Sequence, residues 1–203
     1  YRNIINRIYK ENYVRRKFQE QNFENFYVDS NNEYAVKVAS DYISKSIDKM
    51  QTNGLIITGK SGVGKTHLAV SLGIEAAKHR NSVYFITCHN LMQKLNKAQK
   101  ENRIDKQLQH FAQYRILIID EIGYLPVDHQ GSNLFFQLIA RRYMNKSTIV
   151  TTNMPFSRWG EVFSDNTLAS AVLDRLLHYS HIIRITGNSY RIKDCLVKML
   201  VSL

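Results

Sequence analysis

Cysteine is scarce: Cys88 and Cys195 are the only two among 203 residues, and they form no CxxC pair. That excludes a disulfide framework and a cysteine zinc site. It fits a reducing cytosol, so a cytoplasmic protein is expected. No apolar run is long enough to span a bilayer, which excludes a helical membrane protein, and no signal peptide is visible. Internal repeats and low-complexity segments are also missing. Acidic residues are few, 17 Asp and Glu against 28 Lys and Arg, for a formal net charge of +11. That balance favours a polyanionic partner, nucleic acid first and an anionic membrane second, although many basic proteins are merely soluble. The chain opens on Tyr1 rather than Met, as expected of a fragment lacking an N-terminal part.

What is present reads as a globular protein, 44% hydrophobic and 22% charged, long enough for one domain with extensions. The chain is organised around Leu55-Ile56-Ile57-Thr58 followed by Gly59-Lys60-Ser61-Gly62-Val63-Gly64-Lys65-Thr66-His67. A short apolar run enters G-x-x-x-x-G-K-T, which predicts a buried strand, a glycine-rich turn and a helix start. Gly59, Gly62 and Gly64 let the backbone turn its N–H groups toward phosphate oxygens. The helix adds the positive end of its dipole. Lys65 supplies a charge for the β- and γ-phosphates, and the Thr66 hydroxyl is placed for Mg²⁺. Residues Gly59 to His67 are therefore the candidate ATP ligands.

The remaining chain alternates helical and extended patterns, which predicts an α/β fold with a parallel sheet. Tyr1 to Gln21 is basic and carries Ile4, Ile5, Ile8 and Tyr9 at helical spacing, reading as a basic amphipathic helix or a solvated arm. Phe23, Phe26 and Tyr27 follow as an extended linker docked on the core near the adenine. A helix is expected over Glu33–Met50, then helix Lys65–His79 and strand Val83–Thr87. Asn90 to Tyr114 reads as a two-helix insertion. Its Lys94, Lys97 and Lys100 recur at i, i+3 and i+6, with Arg103 beyond, and these four are the candidate DNA contacts. A solvated helix face is the competing explanation. Ile116–Ile119 reads as a strand buried on both faces, ending in Asp120-Glu121 where open α/β sheets bind ligands. Asp120 would hold Mg²⁺, and Glu121 would orient and deprotonate the attacking water. Helix Ser132–Tyr143 ends in Arg141-Arg142, which its own dipole explains. Strand Thr148–Thr152 places Asn153 where its amide reaches the attacking water or the γ-phosphate. Helix Thr167–Leu177 carries Leu168, Ala171, Val172 and Leu176, His181–Thr186 reads as a fifth strand, and Gly187-Asn188-Ser189-Tyr190-Arg191 closes the domain.

With these residues in hand, the chain resembles the IstB family, AAA+ ATPases that help the transposase of certain bacterial insertion sequences. The segments that carry the resemblance are Gly59–Thr66, Ile118–Pro126, Asn133–Ile139, Thr151–Phe156, Leu173–His178 and Ser189-Tyr190-Arg191. It spans about residues 20 to 192, and Asp120–Ile139 is its most specific block. The resemblance implies a P-loop NTPase AAA+ three-layer fold with five parallel strands ordered 5-1-4-3-2. It implies an ATPase activated on DNA, ATP and Mg²⁺ as cofactors, and a homo-oligomeric ring or spiral with ATP between subunits. Asn153 matches the first sensor, Arg175 an arginine finger acting in the next subunit, and Arg191 a late sensor arginine. The partners implied are DNA and the transposase of the same element, and no membrane. The domain would span residues 29–192, between a basic helix and linker at 1–28 and a tail at 193–203. After the fifth strand too few residues remain for a full helical lid, and the tail is apolar where a basic ending is usual. A DnaC/DnaI-type helicase loader is the second reading, which the Asp120–Ile139 block disfavours. A small-molecule P-loop kinase is a third, which the adjacent Asp120-Glu121 pair disfavours.

Overall fold

The computed structural model describes residues 23, 25–30, 32–48, 53–190 and 192, with the side chains of 45–48 left aside. The expected basic helix over 1–21, Met50, Arg191 and the 193–203 tail lie outside the described residues.

Helix α1 spans Glu33–Asp48 and leads to strand β1, Gly54–Gly59. Then come α2 (Lys65–Lys78), β2 (Val83–Thr87), α3 (Cys88–Lys100), α4 (Ile104–Ala112) and β3 (Ile116–Ile122). Helix α5 (His129–Arg142), β4 (Ser147–Thr152), a 3₁₀ turn Phe156–Arg158, α6 (Trp159–Phe163), α7 (Asn166–Leu177) and β5 (Ser180–Ile185) complete the domain. The five strands are all parallel, in the order β2-β3-β4-β1-β5. This is the 5-1-4-3-2 order implied by the resemblance, and the fold is the α/β P-loop AAA+ fold.

The three layers follow from strand alternation. Leu55, Ile57, Val83, Phe85, Ile116, Ile118 and Ile149 point to one face, where α1 and α2 cover them. Ile56, Tyr84, Ile86, Leu117, Ile119 and Val150 point to the other, beneath α3 to α7. Strands sandwiched in this way need apolar residues on both sides, hence the unbroken runs in β1 and β3. Edge strand β5 is different: Ile183 and Ile185 are buried while Ile182 and Arg184 are exposed.

Three expectations are adjusted. Helix α5 begins at His129 rather than Ser132, because the Asp128 carboxylate accepts from the Gly131 N–H at 2.7 Å and caps it. No apolar period marks Asp128-His129-Gln130-Gly131, so the first turn is silent in the pattern. On α7 the buried stripe is Ala169, Val172 and Leu176, with Leu168 and Ala171 only partly covered. Arg142 is not a solvated residue stabilising its own helix end. It is buried, and its guanidinium donates to the carbonyls of Phe111, Ala112, Tyr114 and Ser147 and to the Thr148 hydroxyl. The negative end that it satisfies belongs mainly to α4.

Candidate nucleotide site

Strand β1 delivers its last residue directly into the phosphate loop, and α2 starts immediately after it. Gly62 and Gly64 have φ of 81° and 101°, left-handed values that side chains disfavour. Space also requires glycine at both: a Cβ on Gly64 would meet the Phe26 ring at 3.3 Å, and one on Gly62 would strike Ser189. The Lys65 ammonium lies across the loop, donating to the Gly59 and Lys60 carbonyls at 2.8 and 2.7 Å. The Thr66 hydroxyl donates to Asp120 Oδ2 at 2.9 Å, bringing loop and carboxylate together as expected.

Asp120 and Glu121 are separated by a kink in β3. Register with β4 shifts between Ile119 and Ile122, and Glu121 has φ of 61°. A non-glycine residue there carries strain of order 1–3 kcal/mol, and such strain clusters at working sites. The kink leaves Asp120 buried and Glu121 exposed. Thr151 holds both: its hydroxyl donates to Asp120 Oδ1 and accepts from the Glu121 N–H at 3.0 Å. Burial pushes the Asp120 carboxyl up to about 6, against the opposing hydroxyl bonds from Thr151 and Thr66. Thr151 was legible only as a polar residue in a buried strand. Its value lies in its register with β3, which no local pattern encodes.

Asn153 stands exposed just past the end of β4, at the same carboxyl ends of the strands. His67 turns toward the N-terminal linker, with its ring 4.8 Å from Phe26 and Nε2 3.2 Å from Asn25 Oδ1. The linker thus docks on the phosphate loop. A further clasp joins it there: the Tyr190 N–H donates to the Gly62 carbonyl at 3.0 Å. The Tyr190 hydroxyl donates to Asp29 Oδ2 at 2.9 Å and accepts from the buried Asn32 amide at 3.0 Å. Asp29, Asn32 and Tyr190 were not anticipated as a unit, because more than 150 residues separate the tyrosine from its partners.

Arg175 is not drawn to this site. Its guanidinium stacks on Phe136, 4.6 Å from the ring centroid, and donates to the Ala171 carbonyl at 3.0 Å. It lines a small cleft with Gly54 and Ser180, at the opposite ends of the strands from the phosphate loop. The candidate DNA residues lie elsewhere, on α3 and the turn after it. Lys97 and Lys100 are exposed, Lys94 donates to the Tyr84 hydroxyl at 3.0 Å, and Arg103 is ion-paired with Glu101.

The fold and the loop define a P-loop nucleotide-binding module with the AAA+ fold. Residues 10–197 match the family model of IstB-like ATP binding protein, and the chain belongs to that family. It is similar to the insertion sequence IS232 putative ATP-binding protein of Bacillus thuringiensis subsp. berliner, 55% identical over 76% of this chain and 61% of the relative. It is also similar to the insertion sequence IS21 putative ATP-binding protein of Pseudomonas aeruginosa, 47% identical over 71% of this chain and 54% of the relative. The chain therefore spans a little over half the length of these curated relatives. Among solved structures, the DnaC helicase loader superposes with a TM-score of 0.73 at 22% identity, covering 84% of this chain and 99% of that one. AMPPCP-bound DnaA from Aquifex aeolicus gives 0.70 at 21% identity, covering 89% and 55%. At such identities these two speak for the fold alone. Among the described residues no helix is long and apolar enough to cross a membrane.

Proposed function

We propose that the chain is the ATP-driven switch of an insertion sequence: it assembles on DNA as a ring or spiral, and the assembly recruits the transposase of the same element. ATP would seat its phosphates on the Gly59–Thr66 loop, with Lys65 exchanging its two carbonyl partners for the β- and γ-oxygens. The Thr66 hydroxyl and Asp120 carboxylate are hard oxygen donors held together by their hydrogen bond, and they fit Mg²⁺ better than a softer metal. When bound there with nucleotide, Mg²⁺ neutralises charge on the transferred phosphoryl group. Glu121, turned outward by the kink, would take the proton of the attacking water, and Asn153 would orient that water or the γ-phosphate. Arg191, as a late sensor, belongs to the same proposal through the resemblance.

The observation that carries the assembled reading is the placement of Arg175. It lies beside Gly54, five residues of β1 away from Gly59. At about 3.3 Å per residue that is roughly 16 Å from its own phosphate loop, too far for any role in cis. Supplied to a neighbour's γ-phosphate, such an arginine is worth about 10³–10⁵ in rate. The helicase-loader reading keeps only the fold likeness, because the sequence relatives belong to insertion sequences.

The test is a mixing experiment. Lys65→Ala should lose ATP binding, whereas Glu121→Gln and Arg175→Ala should each bind ATP and fail to release phosphate. Mixed on DNA, the Glu121→Gln subunit can lend its arginine to the intact pocket of an Arg175→Ala neighbour, so turnover should reappear. If the mixture stays inactive while sedimentation shows co-assembly, Arg175 does not act across a subunit boundary.

A further inference from the structure

Beside Glu121, between α3 and the loop that follows β3, lies a cleft of about 280 Å³. Its walls include His89, Gln93 and Asn96 from α3, Glu121 from the end of β3, and Tyr124 and Leu125 from the loop. Three features mark it as built for an occupant. Tyr124 is 70% exposed and Leu125 47%, so two large apolar side chains stand at its rim without cover. Among the described residues the Asn96 side-chain oxygen is buried and makes no hydrogen bond, although it belongs to a class of atom that is nearly always satisfied. The volume suits one ring system, since a cavity of about 150 Å³ already takes benzene.

Charge decides what enters and from which side. Successive residues on a helix are turned by 100°, so Lys94 and Lys97 stand one step round α3 from Gln93 and Asn96. A row of ammonium groups thus borders a row of carboxamides. The far wall carries Glu121, and Asp128 lines it too. Carboxylates there repel a phosphate but accept hydrogen bonds from exocyclic amino groups such as adenine N6 or cytosine N4.

We propose that this cleft takes one unstacked nucleobase of a DNA strand whose phosphates run along the lysine row of α3, with the base lying on Tyr124 and its edge facing the Gln93 and Asn96 amides. The inference rests on the DNA-binding reading given above. It adds a route by which DNA is sensed: the base packs against the wall that contains Glu121, the residue assigned to the attacking water. Sequence preference is weak, because stacking on tyrosine accepts any base.

The test compares a single-stranded oligonucleotide with an abasic oligonucleotide of equal length, by fluorescence anisotropy at several salt concentrations. Tyr124→Ala should weaken the normal strand roughly five- to 150-fold, the range for removing a stacking aromatic. It should leave the abasic strand, the slope of log K against log salt and nucleotide affinity unchanged. Tyr124→Phe keeps the stacking face and should bind like the wild type. Equal binding of both strands by wild type and Tyr124→Ala would overturn the base site while leaving DNA binding intact. A Tyr124→Ala protein that binds DNA normally yet fails to self-associate in sedimentation overturns it too, and makes the cleft a subunit contact. A wild-type protein that binds neither strand at low salt overturns the DNA reading itself.

Discussion

Asp120 is under two opposed demands. The proposed Mg²⁺ role needs its carboxylate ionised, and burial pushes its ionisation up to about 6 from an ordinary 3.8. Between those two values the folded protein retains a proton that the unfolded chain has released. Stability contributed by this group is therefore present below about pH 4 and is lost as pH rises through about 6. The size is up to about 3 kcal/mol, from roughly two pH units at 1.36 kcal/mol each. Asp120→Asn does not titrate, so without nucleotide or Mg²⁺ it should gain on the wild type by several degrees in Tm between pH 4.5 and pH 7.5. The measurement is a pair of thermal melts at each pH. A difference between the two proteins that stays constant with pH would mean that Asp120 titrates as an exposed aspartate does. The variant also lacks the carboxylate proposed for Mg²⁺, so the stability gained should accompany lost turnover.

At the scale of elements, what could be read from the sequence is what is contiguous in it. The phosphate loop needs a strand, glycines, a lysine and a hydroxyl in one run, and all stand between Leu55 and Thr66. The bounds of β2 follow from apolar period alone, and the two-helix insertion expected over Asn90–Tyr114 is present with both ends two residues earlier, from Cys88 to Ala112. The joints between elements were not legible, because their partners are distant in sequence and chosen by register. Thr151, holding the Asp120 carboxylate and the Glu121 backbone N–H, is one such joint, and the Tyr190 clasp on the linker and phosphate loop is another. Arg142 is the largest. Its buried guanidinium, pushed down to about 9 by burial and so still charged at neutral pH, ties the end of α4 to the start of β4. Arg-Arg at a helix end reads equally well as a solvated pair, and only the packing separates Arg141, exposed and paired with Asp105, from Arg142. Arg142→Met should leave four carbonyls without this donor and cost about 3–5 kcal/mol, as for a broken buried charge network. Arg142→Lys, with three donors on one point, should recover part of that. Urea midpoints for the three proteins would decide it. A Met variant within 1 kcal/mol of wild type would show that water replaces the guanidinium.

At the scale of the whole molecule, the net charge of +11 must be distributed before it can mean anything. Some of it is spoken for: Arg103 pairs with Glu101, Arg141 with Asp105 and Arg158 with Glu161. Among the described residues the α3 lysines form no ion pair, and Lys97 and Lys100 are exposed. If these lysines follow a DNA backbone, each phosphate contact releases counterions and adds about 0.7 to 0.9 to the slope of log K against log salt. Replacing Lys94, Lys97 and Lys100 together by alanine should therefore reduce the slope by up to about three. Lys94, already bonded to the Tyr84 hydroxyl, should contribute least when replaced alone. Loss of affinity should be similar for unrelated sequences, because phosphate contacts carry no base identity. Filter binding or anisotropy across a salt series measures both quantities. An unchanged slope in the triple variant would remove α3 from the DNA surface and transfer the contact to another basic stretch, with Arg15, Arg16 and Lys17 the first to replace. A slope that falls while the Tyr124 variants keep theirs would separate the two kinds of contact, charge outside the cleft and stacking within it.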